Sequence, residues 1–377
     1  MSIVNWSLYL LIPFILSFIF VPVCKKIGLN LGIYAIENKR TVHHGKIVRI
    51  GGLAIYMSFM FCMLLFVNPD SSINGILIGG SIVFMTGLID DIYNLRALYK
   101  FGLQIVAALV TIVVGDIQLD FINLIGLSFD VNFINIFVSV IWIAGVSNAI
   151  NLIDGLDGLA AGISSIVLFV IALIGTFMYR YDIAILSLVL AGATIGFLRY
   201  NFHPASIFMG DSGALFLGFM IACISLMGFK TSTFITLGFP IIILFVPLSD
   251  TFIAIIRRRL NGQKISDADR SHLHHILMYR IGLGHKKSVI TLYVVTILYG
   301  ISAVVTYFDQ QLGLFFLGIL LFISWIFIEL TGMINSNFHP IIGFLRRTIK
   351  VPKKTENAFF EANRVYPKHV LSDEEID

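Results

Sequence analysis

Charged residues are scarce in this chain of 377 residues: Asp, Glu, Lys and Arg make up 13% of it, whereas 58% is hydrophobic. Soluble domains carry about 25% charged residues, so the composition excludes a soluble single-core enzyme, a disordered protein and a nucleic-acid binder that works through charge. Cysteine is also scarce. Cys24, Cys62 and Cys223 show no CxxC spacing, which argues against a disulfide framework and a zinc site.

Long apolar runs are what the chain has in abundance. A helix needs ~20 apolar residues to cross ~30 Å of hydrocarbon. The runs therefore predict an all-α, polytopic integral membrane protein with about 11 transmembrane helices. The predicted spans are residues 4–24, 51–67, 75–90, 101–115, 133–150, 159–178, 183–199, 212–229, 234–256, 289–306 and 312–332.

The basic residues predict the orientation of these spans. With the N-terminus outside, every one of the 26 Lys and Arg residues except Arg180 and Lys230 lies on one side of the membrane. This is the positive-inside bias, and it predicts a cytoplasmic C-terminus. We expect a transmembrane catalytic domain at 1–334 and a polar cytoplasmic tail at 335–377. The expected active-site loops are 25–50, 90–100, 148–158, 200–211 and 257–288.

Acidic residues recur at the predicted cytoplasmic ends of the spans. Carboxylates at membrane depth are costly and indicate function by default. Their repetition at several helix ends predicts one shared site. The residues concerned are Asp90, Asp91, Asp154, Asp157, Asp211 and Asp250.

The pair Asp90-Asp91 ends the third predicted span. Adjacent carboxylates on a helix project about 100° apart and can face one cavity from neighbouring directions. Hard oxygen ligands of this kind suit Mg²⁺, which proteins usually hold through one or two carboxylates and substrate phosphates. The alternative is a pair that only forms a salt bridge with Arg96 or Lys100.

A second motif runs from residue 148 to residue 158. Asn148, Asn151, Asp154 and Asp157 follow one another at intervals of three, which is a polar stripe with helical spacing. The segment carries no Lys or Arg, so the stripe predicts a metal or a ligand rich in hydrogen-bond donors. The alternative is an Asx-capped turn between two spans.

The third motif is the segment from Phe208 to Gly213. Its glycines flank Asp211-Ser212 at a helix start, where backbone N–H groups are predicted to face phosphate while Asp211 ligates a metal. Phe208 is placed to stack on a base. The alternatives are that Asp211 only caps the helix and that Phe208 faces lipid.

The fourth motif lies in the longest inner loop, where three arginines at 257–259 precede His272-Leu273-His274-His275. Arginines bind diphosphate well. Helical spacing predicts that His272 and His275 share one face and that His274 is turned away. Zinc is the alternative ligand, but neither Cys nor an HExxH glutamate accompanies the histidines.

These four segments, in this order, resemble the polyprenyl-phosphate N-acetylhexosamine-1-phosphate transferases of glycosyltransferase family 4, over residues 25–275. The resemblance implies transfer of a phosphosugar from a UDP-sugar to a membrane-borne polyprenyl phosphate, with release of UMP. The His-Leu-His-His form is similar to the branch that uses undecaprenyl phosphate and N-acetylglucosamine to begin teichoic acid, common antigen or O-antigen synthesis. The peptidoglycan branch, which uses UDP-MurNAc-pentapeptide, typically carries three consecutive histidines.

The resemblance also implies roles for individual residues. Asp90 and Asp91 match the aspartate pair implicated in lipid-phosphate activation and metal binding, and Asn151 and Asp211 match the metal-ligand positions. We interpret Asp90 as a catalytic residue that orients the lipid phosphate and could act as a base, and Asp91 as a catalytic residue that binds the metal or supports its ligands. The other matched positions serve the substrates: Asp157 and Phe208 for uracil, Asp154 for the nucleoside, Arg49 for the nucleotide, and His272, His274 and His275 for the diphosphate and sugar. Asn148 is also assigned to substrate binding, and His272 and His275 to catalysis.

The predicted cofactor is Mg²⁺, with Mn²⁺ as an alternative. The predicted partners are a UDP-sugar, undecaprenyl phosphate and the lipid bilayer, with no nucleic acid; a homodimer is left open. The expected location is the bacterial inner membrane, with the active site facing the cytoplasm. Two other functions stay open: the peptidoglycan reaction, and an ion-coupled transporter, which would carry its acidic residues near the bilayer midplane.

Overall fold

The computed structural model describes residues 3–35, 46–68, 70–119, 132–228, 234–263, 272–334 and residue 340. The tail predicted at 335–377 lies outside these residues except for Pro340, and so do parts of the predicted loops 25–50 and 257–288. The helices are α1 (Ile3–Leu31), α2 (Gly52–Phe66), α3 (Ser71–Tyr93), α4 (Ala97–Gly115), α5 (Asn132–Ile153), α6 (Leu159–Phe177), α7 (Tyr181–Asn201), α8 (Gly210–Gly228), α9 (Phe234–Ile243), α10 (Phe245–Leu260), α11 (Leu273–His275), a π-helical turn (Ile276–Arg280), α12 (Gly284–Phe308) and α13 (Gln310–Thr331). Strands β1 (Tyr34–Ala35) and β2 (Ile47–Val48) pair antiparallel.

Within the described part of the chain, 9 helices are long and apolar enough to cross a membrane. The prediction of a helical, multi-pass membrane protein is thereby confirmed.

Two of the predicted spans differ from the helices in the structure. The run at 51–67 forms α2, which has only 15 residues. The run at 234–256 is divided between α9 and α10, because Pro247 has no N–H to donate to the carbonyl group of Ile243.

Helix α8 forms the centre of the bundle, where it is buried from Ser212 to Gly228. It packs against α3 and α5 through small residues, as helices in membranes commonly do. A Cβ atom on Gly218 would lie 2.7 Å from the Cα of Ser147 in α5. This close packing brings the first turn of α8 beside the last turns of α3 and α5, where the acidic motifs lie.

Candidate active site

A cavity of about 220 Å³ opens at this end of the bundle. It lies where α5 ends, α8 begins and the segment after α7 returns towards the bundle. Its lining joins residues from all three of these places and from the segment that precedes α2. The lining residues are Arg49, Asn151, Asp154, Gly155, Leu156, Asp157, Asn201, Phe208, Met209, Gly210 and Asp211.

Lys100 connects the first and third motifs. Its Nζ atom donates to Asp90 Oδ2 at 2.9 Å and is also ion-paired with Asp211. A salt bridge between Asp90 and Lys100 is the alternative to metal binding that the sequence leaves open. The structure contains this salt bridge, and Lys100 also pairs with Asp211, which lines the cavity. Asn151 donates its Nδ2 to Asp211 Oδ1 at 3.2 Å, which leaves the amide oxygen as its ligand atom.

Asp91 points in a different direction from Asp90. Its Oδ1 atom accepts a hydrogen bond from the backbone N–H of Asp211 at 2.8 Å, and its Oδ2 atom accepts one from Ser212 at 3.0 Å. Asp91 thus caps the N-terminus of α8 from another helix. The prediction that these N–H groups face phosphate is wrong, because the Asp91 carboxylate already occupies them.

The segment that carries Phe208 is held by strand-like pairing with the residues that precede α2. Phe208 accepts a hydrogen bond from the N–H of Gly51 at 2.9 Å and donates its own N–H to the carbonyl oxygen of Val48 at 2.8 Å. Gly52 donates to Met209 at 2.8 Å. This pairing fixes Phe208 and Asp211 at the cavity wall, which Arg49 also lines.

Gly210 is the point at which this segment turns into α8. Its φ of +74° favours glycine, and a Cβ atom there would overlap the carbonyl oxygen of Arg49. We expect Gly210→Ala to lower the thermal unfolding midpoint of the purified protein by much more than Gly282→Ala does. Both changes cost about 1–3 kcal/mol for a positive φ, but only the first adds a clash.

The control residue, Gly282, has a φ of +75°, and a Cβ atom there would meet nothing within 4 Å. Differential scanning fluorimetry in detergent compares the two variants directly. Equal midpoints would contradict the account of the turn at Gly210.

Asp157 is fixed by the segment that follows α7. Its Oδ2 atom lies 2.8 Å from His203 Nδ1 and accepts a hydrogen bond from the N–H of Ala205 at 3.1 Å. Asn201 joins the same two regions, since it accepts from the N–H of Gly158 and donates to the carbonyl group of Ile207. Sequence reasoning missed both His203 and Asn201, because neither belongs to a polar stripe.

Asp154 lies in the cavity on the loop between α5 and α6. Burial, together with the negative charges of Asp211, Asp91 and Asp157, raises the pKa of its carboxyl group from 3.8 to about 8. The site therefore carries more negative charge than Lys100 balances, and added cations would be stabilised there.

The raised pKa of Asp154 predicts a pH-dependent stability. The folded protein holds this proton more tightly than the unfolded chain, so stability falls as the pH rises from about 4 through about 8. We expect Asp154→Asn to raise the unfolding midpoint of the metal-free protein, relative to the parent, more at pH 8.5 than at pH 6. Thermal scans in EDTA at both pH values measure this, and an equal difference at the two values would contradict it.

The histidine segment is anchored by Asp250 in α10. His272 Nδ1 lies 2.9 Å from Asp250 Oδ2, and the N–H of Leu273 donates to Asp250 Oδ1 at 2.8 Å. Helix α11 therefore begins only at Leu273, after an extended His272. The helical spacing assumed for His272 and His275 does not apply.

The ring of His274 packs against Gly155 at the edge of the cavity. A Cβ atom on Gly155, which lines the cavity, would overlap the His274 ring. Burial and the neighbouring His275 lower the pKa of His274 to about 3, so its imidazole is neutral near pH 7. His275 follows with its ring centroid 4.3 Å from that of His274.

Six predicted site residues do not line the cavity: Asp90, Asp91, Asn148, His272, His274 and His275. Asn148 is directed towards α4. Its Nδ2 atom donates to Gln104 Oε1 at 2.6 Å and to the carbonyl oxygen of Ala144 at 2.7 Å. It lies one helical turn before Asn151 and joins α5 to α4.

The donor set suits a magnesium ion. Asp90 and Asp211 supply carboxylate oxygens on either side of Lys100, and Asn151, which contacts Asp211, supplies an amide oxygen; all are hard oxygen ligands. The carboxylates of Asp91 and Asp157 add negative charge near Asp211, which a divalent cation would offset. The residues present therefore fit the ion that the sequence predicted.

Comparison with known proteins places the sequence in a family. The family model described as glycosyl transferase family 4 matches residues 73–229. The chain is 41% identical over 350 residues to a probable undecaprenyl-phosphate N-acetylglucosaminyl 1-phosphate transferase of Bacillus subtilis, covering 90% of this chain and 97% of that protein.

Two further relatives are more distant. A decaprenyl-phosphate N-acetylglucosaminephosphotransferase of Mycobacterium leprae is 33% identical, covering 84% of this chain and 85% of the relative. A phospho-N-acetylmuramoyl-pentapeptide-transferase of Caldicellulosiruptor bescii is 30% identical, covering 80% of this chain and 97% of the relative. The chain belongs to glycosyl transferase family 4.

Proposed function

We propose that the protein transfers N-acetylglucosamine 1-phosphate from UDP-N-acetylglucosamine to undecaprenyl phosphate, in the first membrane step of a cell-wall glycopolymer. The observation that carries this proposal is the 41% identity, over nearly the whole of both chains, to the Bacillus relative of that name. The cavity supports it. Phe208, Asp154 and Asp157 could bind a nucleoside, and they lie next to the cluster of Lys100, Asp90 and Asp211, which could bind a diphosphate.

The reaction is a single in-line displacement. An oxygen of the lipid phosphate forms a bond to the β-phosphorus of the nucleotide sugar, and the bond from that phosphorus to the oxygen bridging the α-phosphate breaks, releasing UMP. The nucleophile has a second pKa near ~6 and is largely dianionic at neutral pH, so a strong base is not required. Asp90 orients it, and Lys100 offsets the repulsion between the two anions.

Asp211 and Asn151 are the residues that would hold Mg²⁺, or Mn²⁺, which supplies charge neutralisation at the diphosphate. Asp91 keeps the first turn of α8 in place behind Asp211. His274, as a neutral imidazole, offers a hydrogen bond rather than a charge to the sugar phosphate.

The acceptor lipid is proposed to lie in an apolar groove of about 540 Å³ beside α3. The groove follows α3 for about 18 Å, from Leu77 to Ile89, and ends next to Asp90. Met60 and Leu103 contribute its other walls from α2 and α4. A polyprenyl chain lying there would bring its phosphate to Asp90 and Lys100.

The proposal includes the topology. Eleven crossings, with the N-terminus outside and the C-terminus in the cytoplasm, would set the cavity at the cytoplasmic face of the inner membrane, where nucleotide sugars are made. Supporting it is the distribution of the 26 basic residues. Cysteine accessibility at Tyr179 and at Leu260, in intact cells and in lysed membranes, tests this orientation.

A substrate comparison tests the function. Purified protein in Mg²⁺ with undecaprenyl phosphate should form lipid-linked product from UDP-N-acetylglucosamine and not from UDP-MurNAc-pentapeptide. Exchange of labelled UMP into the nucleotide sugar should require the lipid phosphate. Product from the pentapeptide substrate alone would establish the peptidoglycan reaction instead, and no exchange with either nucleotide would favour the transporter.

A further inference from the structure

Three side chains outside the magnesium donor set lie close together next to the cavity. Asp157, His203 and His285 each offer one ligand atom, and these atoms lie within 4.8 Å of one another. The imidazole rings of His203 and His285 are stacked, with centroids 4.1 Å apart and planes 21° from parallel. The three residues come from the loop after α5, the segment after α7 and the first turn of α12, so the fold itself assembles the cluster.

We infer that this cluster is a binding site for Zn²⁺ or a similar first-row transition ion. Two imidazoles and one carboxylate form the three-ligand set that proteins use for zinc with an open fourth position. Imidazole nitrogen suits zinc, copper and nickel, whereas Mg²⁺ selects oxygen ligands. The donor chemistry therefore separates this site from the one at Asp211.

The geometry needs only side-chain adjustment to close on an ion. Ligand atoms around tetrahedral zinc are separated by about 3.3 Å, given metal–ligand distances near 2.0–2.1 Å. Since every separation is within 4.8 Å, none needs to shrink by more than roughly 1.5 Å. Asp157 is the fixed ligand, because its side chain is 5% exposed and Ala205 holds it, while His203 is 31% exposed and is open to solvent.

Asp157 also lines the cavity proposed for the nucleotide. A zinc ion that draws on this carboxylate takes it away from the nucleoside. This part of the inference rests on the proposed function: zinc and the nucleotide sugar exclude one another, and zinc acts as a competitive inhibitor. The binding of zinc itself does not depend on the proposed function.

Metal binding is measured on the full-length protein without substrates. Protein treated with EDTA and freed of it is dialysed against Zn²⁺ in excess Mg²⁺, and the bound zinc is determined by elemental analysis. We expect one tightly bound equivalent, and an affinity about 100-fold lower in His285→Asn. His369→Asn, a change in the C-terminal region outside the described residues, is the matched control and keeps the parent affinity.

A second probe reports the ligands themselves. With Co²⁺ in place of zinc, the parent should show the visible absorption of a four-coordinate site, and His285→Asn should not show it. If His285→Asn does not fold, His203→Gln serves instead, because it removes a different ligand. Parent affinity in every folded ligand variant overturns the inference. So does a tight site that His275→Asn abolishes, since zinc would then lie in the histidine segment.

Kinetics test the competition. Zinc should raise the apparent KM for UDP-N-acetylglucosamine at least tenfold in the parent without changing kcat, and it should have no effect on His285→Asn, whose zinc-free rate equals that of the parent. Equal inhibition of both proteins would mean that zinc acts at the magnesium site, and it would overturn the inference. Failure of the proposed function would instead appear as no turnover in the absence of zinc.

Discussion

Replacing Asp211 with Asn is expected to lower kcat by about 10³-fold or more. Asp211 is the carboxylate on which the site converges, since Lys100 and Asn151 both contact it and its own N–H group is held by Asp91. Asn keeps the size and loses the charge that would hold a divalent cation against the diphosphate. Removing one such electrostatic contact costs about 10²–10³ in rate, and loss of the cation adds to this.

Release of labelled UMP at saturating levels of both substrates measures this effect, across a titration of Mg²⁺. Asp182→Asn is the matched control, because that carboxylate pairs with Arg180 at the start of α7, at the opposite end of this helix from the cavity. Asp211→Asn protein that unfolds at the parent temperature and still turns over with Mg²⁺ would refute the assignment of the metal ligand.

Replacing Lys100 with Met is expected to lower kcat by about 10³-fold as well. Lys100 is ion-paired with Asp90 and with Asp211, so its loss leaves the Asp90 carboxylate facing the approaching lipid phosphate without its ammonium partner. Like charges brought together in this way raise the barrier for bond formation between two anions. Single-turnover rates, measured with saturating lipid phosphate, isolate the chemical step from lipid binding.

Arg96→Met serves as the comparison, because Arg96 is an exposed cation at the start of the same helix. It should keep the parent rate, and Lys100→Arg should recover part of the lost rate. If the rate of Lys100→Met is within threefold of the parent rate, the ion pairs of Lys100 have only a structural role and the prediction is wrong.

The features that the sequence predicted correctly are those that depend on residues close together in the chain. A run of apolar residues is enough to specify a membrane helix, and one carboxylate beside another on a helix end is enough to specify that they diverge, as Asp90 and Asp91 do. The cavity lining then followed from polar residues at helix ends, which have few reasons to lie at membrane depth other than function.

What the sequence could not supply are contacts between segments. The link from Lys100 to Asp211 joins residues 111 apart, and that from His203 to Asp157 joins residues 46 apart. Local spacing also gives a wrong prediction for His272, namely that it lies in a helix with His275. Asp250 holds His272 in an extended conformation, so the helix begins only at Leu273. Such outcomes depend on which helices become neighbours.

The cap that Asp91 places on α8 has a consequence for biosynthesis. It joins residues 120 apart in the chain, and the pairing of Val48 with Phe208 spans a still longer stretch. A nascent chain that ends before α8 already carries Asp90, Asp91, Asn151 and Asp154, yet it lacks Gly210 and Asp211, which complete the cavity wall. The cavity wall is therefore completed only when α8 enters the bundle, and the histidine segment at 272–275 joins it later still.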